Sequence, residues 1–150
     1  MVLPSRQRVQ YLILVALVAL LAGCAGAEKA PQGSGDASLP GPLVGKRWTL
    51  LLVGTSDRLE FATRPWFEIS PRGEVTGFDG CNRINTRATL GANNHIEFGD
   101  IASTRMACPD MEKSRRVTDM LNSAYAYLID HDRLVFFGPD QRVLGGWRKS

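Results

Sequence analysis

The three cysteines of this 150-residue chain are the residues whose chemistry depends most clearly on position. Cys24 directly follows an apolar run, whereas Cys81 and Cys108 stand far apart in the second half of the chain. A cysteine can carry a covalent group, pair with a second thiol or bind a metal ion. The spacing excludes a Cys-x-x-Cys redox pair, and the chain has no further cysteines for a structural zinc site.

The segment before Cys24 has the three parts of a secretory signal peptide. Residues 1–10 contain two arginines and no acidic residue, residues 11–22 are continuously apolar, and small residues precede the cysteine. Together with Leu21 they resemble a bacterial lipobox, in which a peptidase cuts before a cysteine that carries a diacylglycerol. We therefore predict that residues 1–23 form a lipoprotein signal peptide and that Cys24 carries a covalent lipid.

The alternative interpretation of the apolar run is a transmembrane anchor. About 12 apolar residues span roughly 18 Å as a helix, which is too short for about 30 Å of hydrocarbon. Several acyl chains on Cys24 would instead anchor the protein stably, since each buried methylene contributes about 0.8 kcal/mol. No aspartate follows Cys24 directly, and the resemblance to Gram-negative lipoproteins then implies transport to the outer membrane rather than retention in the inner membrane. We therefore expect an outer-membrane lipoprotein with its domain in the periplasm, and no cofactor besides the lipid.

Residues 24–42 have the composition of a flexible linker. Beyond the cysteine they are mainly glycine, proline, serine and alanine, without an aromatic or β-branched residue, so they cannot bury enough apolar surface to offset their ordering entropy. The folded domain should span residues 43–149. Without the signal-peptide arginines the net charge falls from +3 to about +1. No basic stripe remains, so nucleic acid is excluded from the expected partners.

The apolar pattern of the domain predicts short strands and a single helix. Apolar residues at helical spacing predict a helix that begins at Asp110 as N-cap and presents one apolar face: Val117, Met120, Leu121, Ala124, Tyr125 and Leu128. The predicted strands are 46–53, 66–69, 74–78, 83–90, 95–98 with an extension at 101–104, 127–129, 133–137 and 143–148. The fold class is mainly β (α+β), a curled antiparallel sheet or partly open barrel of about seven or eight short strands with one α-helix packed across it.

Cys81 and Cys108 remain as thiols if Cys24 is acylated. Both would lie in an oxidising compartment, where two cysteines of a small domain often pair. Closing a loop of about 28 residues would stabilise the fold by roughly 3.5 kcal/mol in the chain-entropy model. The alternative is two buried free thiols. We favour the disulfide, which would connect the start of the helix to the sheet.

The two histidines are the candidates for a catalytic base, and neither stands in a catalytic pattern. His95 and His131 both lie at predicted turns, where a histidine is usually just exposed. His95 and Glu97 alternate on one strand face, but two ligands without a third make a weak metal site. The sequence has no nucleophile elbow, phosphate-binding loop or dinucleotide fingerprint. We therefore expect a non-enzymatic protein.

Two segments of the domain carry a more specific pattern. Residues 77–83 read Gly-Phe-Asp-Gly-Cys-Asn-Arg, and residues 101–108 read Ile-Ala-Ser-Thr-Arg-Met-Ala-Cys before the predicted helix. This combination of G-x-x-x-C-N with T-x-M-x-C resembles the META domain family, whose bacterial members include the HslJ-type heat-inducible lipoproteins. The resemblance covers essentially all of residues 43–149.

The resemblance implies a β-rich fold with one helix, an envelope location, heat-inducible expression and a link to novobiocin tolerance. It implies no catalytic activity. The leading hypothesis is a non-enzymatic envelope lipoprotein that supports outer-membrane integrity under stress. The alternative is a lipid- or peptide-binding module, similar to the pilot lipoproteins of secretion systems. The expected partners are the membrane, through the lipid, and an envelope protein or an acyl-chain ligand.

The motif residues have both a structural and a functional interpretation. Gly77 and Gly80 are expected to permit a tight bend or positive φ at a strand end, and Asn82 to cap that bend. Thr104 and Met106 would share a strand face if the strand reaches that far. The functional interpretation places a ligand or partner surface where the two segments meet. This surface would consist of the same residues together with Arg105: Gly77, Gly80, Asn82, Thr104, Arg105 and Met106.

Overall fold

The computed structural model describes Leu39 and residues 41–150, so the predicted signal peptide, Cys24 and most of the predicted linker lie outside the described residues. Nine strands and one helix follow one another in this part of the chain. They are β1 (Arg47–Val53), β2 (Trp66–Ile69), β3 (Glu74–Phe78), β4 (Arg83–Leu90), β5 (Ile96–Phe98), β6 (Ala102–Ser103), α1 (Met111–Asn122), β7 (Ala126–Asp130), β8 (Arg133–Phe137) and β9 (Val143–Lys149).

The strands form a nearly closed antiparallel barrel. The order is β5-β4-β3-β2-β1-β9-β8-β7, and β6 pairs with β4 beside β5. The two edges meet because the Ile96 N–H donates to the Tyr125 carbonyl and the Tyr127 N–H to the Asn94 carbonyl, both at 2.9 Å. The predicted fold class is therefore confirmed, and the seam between β5 and β7 protects edges that would otherwise stay unpaired.

Two turns set the register of the first half of the barrel. Between β2 and β3 the Ser70 Oγ accepts a hydrogen bond from the Glu74 N–H at 3.1 Å. Between β4 and β5, Asn93 and Asn94 both have a φ of 56°, a left-handed conformation that asparagine tolerates better than most residues. These local turns explain why the predicted strand bounds in this region are close to the observed ones.

The barrel interior is filled by large side chains. Trp48, Phe67, Phe136 and Trp147 are each at most 1% exposed. The Phe67 ring meets the Trp147 ring edge to face at 4.8 Å between centroids and stacks on Phe136 at 5.9 Å. The buried side of α1, including Leu121, joins the same core. The interior of the barrel is thus a packed core that these side chains fill.

The N-terminal border of the domain reaches into the predicted linker. The Leu39 N–H donates to the Pro71 carbonyl at 2.6 Å, and its side chain packs, partly buried, against the core. Leu43 is fully buried, and its carbonyl accepts a hydrogen bond from the Trp48 indole at 3.0 Å.

The predicted helix is wrong at its C-terminal end. The helix ends at Asn122, and Ser123 forms its C-cap. Tyr125 and Leu128, expected on the buried helix face, are 51% and 49% exposed. The reason is the barrel seam, since the backbone of Tyr125 and the following residues must pair with the other edge and with β8. These apolar residues have the spacing of a helix face in the sequence, but in the structure they lie directly before β7 and within it.

The start of the helix also differs in detail from the prediction. Asp110 occupies the N-cap position but makes no side-chain cap hydrogen bond. Its carboxylate instead accepts a hydrogen bond from the Lys113 Nζ at 2.7 Å. The helix has twelve residues, and no helix in the described part of the chain is long and apolar enough to cross a membrane.

Candidate functional site

The turn between β3 and β4 is held by a buried carboxylate. Asp79 is 3% exposed, and its Oδ1 accepts hydrogen bonds from the Cys81 N–H at 2.8 Å and the Asn82 N–H at 2.6 Å. Gly80 provides the left-handed residue of the turn, with a φ of 104°. Asp79 therefore caps the bend, and the prediction that Asn82 caps it is wrong. The Asp-Gly pair at residues 79–80 is the sequence signal that could have identified Asp79 as the capping residue of this turn.

Asn82 connects the two motif segments instead. Its side-chain oxygen accepts hydrogen bonds from the Met106 N–H at 2.8 Å and from the Thr104 hydroxyl at 3.2 Å. The Thr104 hydroxyl also accepts from the Arg83 N–H at 3.1 Å. The structure thus brings the two sequence motifs together through side chains that the motifs themselves supply.

A disulfide between Cys81 and Cys108 links the same two motif segments covalently. We call this disulfide, together with the hydrogen bonds of Asn82 to Thr104 and Met106, the junction. The Cα atoms of the two cysteines are 5.8 Å apart. The bond connects the β3–β4 turn to the segment that leads into α1, as the favoured interpretation predicted, and the alternative of two free thiols is wrong.

The remaining motif residues have separate places. Gly77 lies inside β3, between Phe67 and Ile84, rather than at a bend. A Cβ there would lie 2.5 Å from the Trp66 carbonyl oxygen, so the glycine allows a close approach of strands and needs no positive φ. This corrects the expected role of Gly77. Gly80 fits the expectation, and a Cβ there would also collide with the Phe61 ring.

The segment after β6 is irregular, because β6 ends at Ser103. Thr104 and Met106 consequently do not share a strand face, which corrects that expectation. Met106 is 58% exposed, and Arg105 is exposed beside it. The predicted partner surface is thus split between a hydrogen-bonded junction and two exposed side chains.

A surface pocket of about 440 Å³ lies between the junction and α1. We call it the junction pocket. It is lined from the β3–β4 turn, from β6 and from the first two turns of the helix, chiefly by Asp79, Asn82, Ser103, Glu112, Ser114 and Arg115.

Two buried polar residues form the floor of the junction pocket. Ser114 is 2% exposed, and its Oγ has no hydrogen-bond partner among the described residues. Asp79 is the second buried polar residue of the pocket floor. Neither residue was assigned a role from the sequence. Buried hydroxyls are nearly always paired in proteins, so the Ser114 Oγ marks the floor as a place where a bound group can supply a partner.

The rim of the pocket carries opposite charges. Glu112 and Arg115 are exposed and line the pocket, whereas Lys113 turns away to the Asp110 carboxylate and to the Glu60 carbonyl, 2.8 Å from its Nζ. The neighbouring Phe61 ring lies 5.8 Å from the same ammonium.

Neither histidine lines the junction pocket. His95 lies at the barrel seam with its ring 4.6 Å from that of Tyr125, and His131 forms the β7–β8 turn beside Asp130. Over residues 41–150 and Leu39, no group of three His, Cys, Asp or Glu side chains is placed to hold a metal ion. The titratable groups of the pocket are therefore carboxylates and an arginine.

Solved structures with the same fold are small. A protein from Burkholderia xenovorans, solved by NMR, has a TM-score of 0.58 at 17% identity, over 81% of this chain and 98% of its own. A second protein solved by NMR has a TM-score of 0.56 at 19% identity, over 71% of this chain and 90% of its own. The crystal structure of a DUF4847 family protein from Bacteroides vulgatus has a TM-score of 0.54 at 11% identity, over 71% of this chain and 94% of its own. The domain from Leu39 to Ser150 is expected to fold alone because its described residues enclose one hydrophobic core of their own.

A search of curated proteins found no match. The family model of the META domain matches residues 41–150, which include both motif segments, the disulfide and the whole barrel. The chain belongs to the META domain family.

Proposed function

We propose that this protein is a non-enzymatic envelope lipoprotein whose META domain binds a ligand or partner at the junction pocket. In this role it supports the outer membrane under stress and contributes to novobiocin tolerance. The observation that carries the binding role is the position of the two motif segments, which build a rigid junction beside a pocket whose buried Ser114 hydroxyl has no hydrogen-bond partner in the described part of the chain. The lining of the pocket carries hydrogen-bonding and charged groups that can hold a polar ligand, among them Asp79, Ser114 and Arg115.

The envelope location rests on the sequence before the domain. The lipobox at Cys24 and the linker-like composition up to Leu39 would tether the barrel to a membrane while leaving it free to bind. Growing cells with an alkyne-labelled fatty acid tests this. We expect label on the wild-type protein in the outer-membrane fraction and none on the Cys24→Ser variant. Equal labelling of the two proteins, or none on either, would reject the lipid anchor.

The stress role is tested by deleting the gene. We expect the deletion strain to become more sensitive to novobiocin and heat, and the full-length gene to restore tolerance. Wild-type growth of the deletion strain under both conditions would reject this part of the proposal.

One observation favours the alternative role, a module that binds an acyl chain or an apolar peptide. A shallow apolar groove of about 260 Å³ lies on the outer face of β1, β9 and β8. The strand register places Leu52, Gly146, Val135 and Leu128 side by side across this face and β7. The packed interior counts against binding inside the barrel, so such a ligand would lie on this outer groove.

Native mass spectrometry of the full chain, extracted in mild detergent, distinguishes the two roles. An additional acyl-chain mass, beyond the covalent lipid, that disappears in the Val135→Asp variant would support the alternative. A spectrum without such an adduct leaves the junction pocket as the binding site.

A further inference from the structure

We propose that the junction pocket binds an uncharged carboxamide, the group carried by the asparagine and glutamine side chains of a peptide partner. This inference rests on the proposed binding function and names the ligand class for the same site. Its basis is the chemistry of the pocket floor, of the first turn of α1 and of the rim.

The pocket floor offers an acceptor and a hydroxyl that can both donate and accept. The Asp79 Oδ1 already accepts two backbone hydrogen bonds, but a carboxylate has about four acceptor sites, which leaves capacity for a further donor. Ser114 has its hydroxyl buried and unpaired among the described residues. A ligand that enters the pocket therefore gains most if it presents a donor and an acceptor side by side.

The first turn of α1 brings backbone donors to this site. The first backbone N–H groups of a helix have no partner within the helix, and Asp110 makes no side-chain cap here. Met111 and Glu112, the first two residues of the helix, both line the pocket. The carbonyl of a carboxamide can accept from the Ser114 hydroxyl or this first turn, while its NH₂ group donates to Asp79.

A charged ligand fits the pocket less well than a neutral one. The positive end of the helix dipole disfavours a cation near the first turn. The carboxylates of Asp79 and Glu112 disfavour an anion. Arg115 stands beside Glu112 on the rim, so the rim adds opposite charges and no strong preference of its own.

A peptide amide also fits better than a sugar. A sugar ring is commonly bound with its C–H face on an aromatic side chain, and none of the described lining residues is aromatic. Met111 lies at the mouth, 56% exposed, and its flexible thioether can pack against the methylene groups of a glutamine.

The test uses three probes of similar size and different charge: propionamide, propionate and propylammonium. Methyl glucoside is the sugar probe. Each is titrated into the ¹⁵N-labelled domain from Leu39 to Ser150, and the amide signals of residues 79–82 and 111–118 are followed by NMR. We expect propionamide to shift these signals and to bind about tenfold more tightly than either charged probe, the advantage of a well-formed hydrogen-bond pair. Tighter binding of a charged probe or of the glucoside overturns the proposal, as does the absence of any shift at these residues.

Two variants and a peptide locate the interaction. Ser114→Ala should weaken propionamide binding about fivefold, the loss of one hydrogen bond. Asn122→Ala, at an exposed position of the same helix, should leave it unchanged. A capped Ala-Gln-Ala peptide should bind more tightly than propionamide, and equal or weaker binding would reject a peptide as the source of the amide.

The failure of this inference is distinguishable from that of the proposed function. A pocket that takes none of the probes rejects the ligand class, while lipid labelling and the deletion phenotype stay unaffected. A deletion strain that behaves as wild type rejects the function, whatever the titration shows.

Discussion

The side-chain oxygen of Asn82 accepts a hydrogen bond from the Met106 N–H at 2.8 Å, across 24 residues of sequence. On either side of this contact lie the Cys81–Cys108 disulfide and the hydrogen bonds of Thr104. This geometry explains why Cys-Asn in one segment accompanies Thr-x-Met-x-Cys in the other. The two patterns are the two sides of one junction, and that junction forms a wall of the pocket.

We predict that Asn82→Ala destabilises the domain by about 0.5–1.5 kcal/mol, because it removes the acceptor of the Met106 N–H and of the Thr104 hydroxyl, two exposed donors that water can then solvate. Asn85→Ala, at an exposed position of β4, is the matched control and should change the free energy of unfolding by less than about 0.5 kcal/mol. Urea unfolding followed by tryptophan fluorescence measures both. Equal effects of the two variants would show that the Asn82 bridge contributes nothing.

The disulfide should contribute roughly 3.5 kcal/mol, since it closes a loop of about 28 residues. We predict that the Cys81→Ala/Cys108→Ala double variant loses about this much stability, and that reduction of the wild-type domain has a similar effect. The double variant should itself be insensitive to reductant, which makes it the control. Identical urea midpoints for oxidised and reduced wild type would contradict the prediction.

Two strand glycines provide a matched pair for steric effects. A Cβ at Gly77 would lie 2.5 Å from the Trp66 carbonyl oxygen, whereas at Gly146 the nearest atoms are 3.7 Å away. Gly77→Ala should therefore cost about 1–3 kcal/mol through a forced shift of β2. Gly146→Ala should be neutral or stabilising by about 0.5 kcal/mol, because it lowers the entropy of the unfolded chain. Thermal unfolding compares them, and a larger loss for Gly146→Ala would refute the steric account.

Ser114→Ala should raise stability by about 1–2 kcal/mol. It removes a buried hydroxyl without a partner among the described residues and adds the best helix-forming residue. Asn122→Ala gains helix propensity alone, about 0.5 kcal/mol. A loss of stability in Ser114→Ala under calorimetry would mean that the hydroxyl is paired within the domain and is not available to a ligand at the pocket floor.

Local patterns predicted most of the fold. Apolar and polar residues alternate in β2, β3, β4 and β8, and a turn follows β2 at Ser70. These signals are local, since each depends only on residues that are close together in the sequence. The helix end was mistaken because apolar residues from Ala124 to Leu128 fit both a helical and a strand spacing. The choice depends on the β5–β7 seam, which joins backbone atoms about 30 residues apart and leaves no mark in a local window.

The site was predicted less completely than the fold. The meeting of the two motif segments followed from the resemblance and from the favoured disulfide, but the pocket did not. Its floor depends on Asp79, which was not assigned a role, and on Ser114, which stands among charged residues of the helix. The burial of a serine in such a segment is decided by the turn packed against it, so only the tertiary structure identifies it.

The most direct test of the account is novobiocin tolerance in a deletion strain that carries the full-length gene as wild type, Ser114→Ala or Asn122→Ala, each checked for equal protein level. We predict that wild type and Asn122→Ala restore tolerance, whereas Ser114→Ala restores clearly less although its domain is the more stable protein. Full restoration by Ser114→Ala would contradict the central claim that the junction pocket is the functional site.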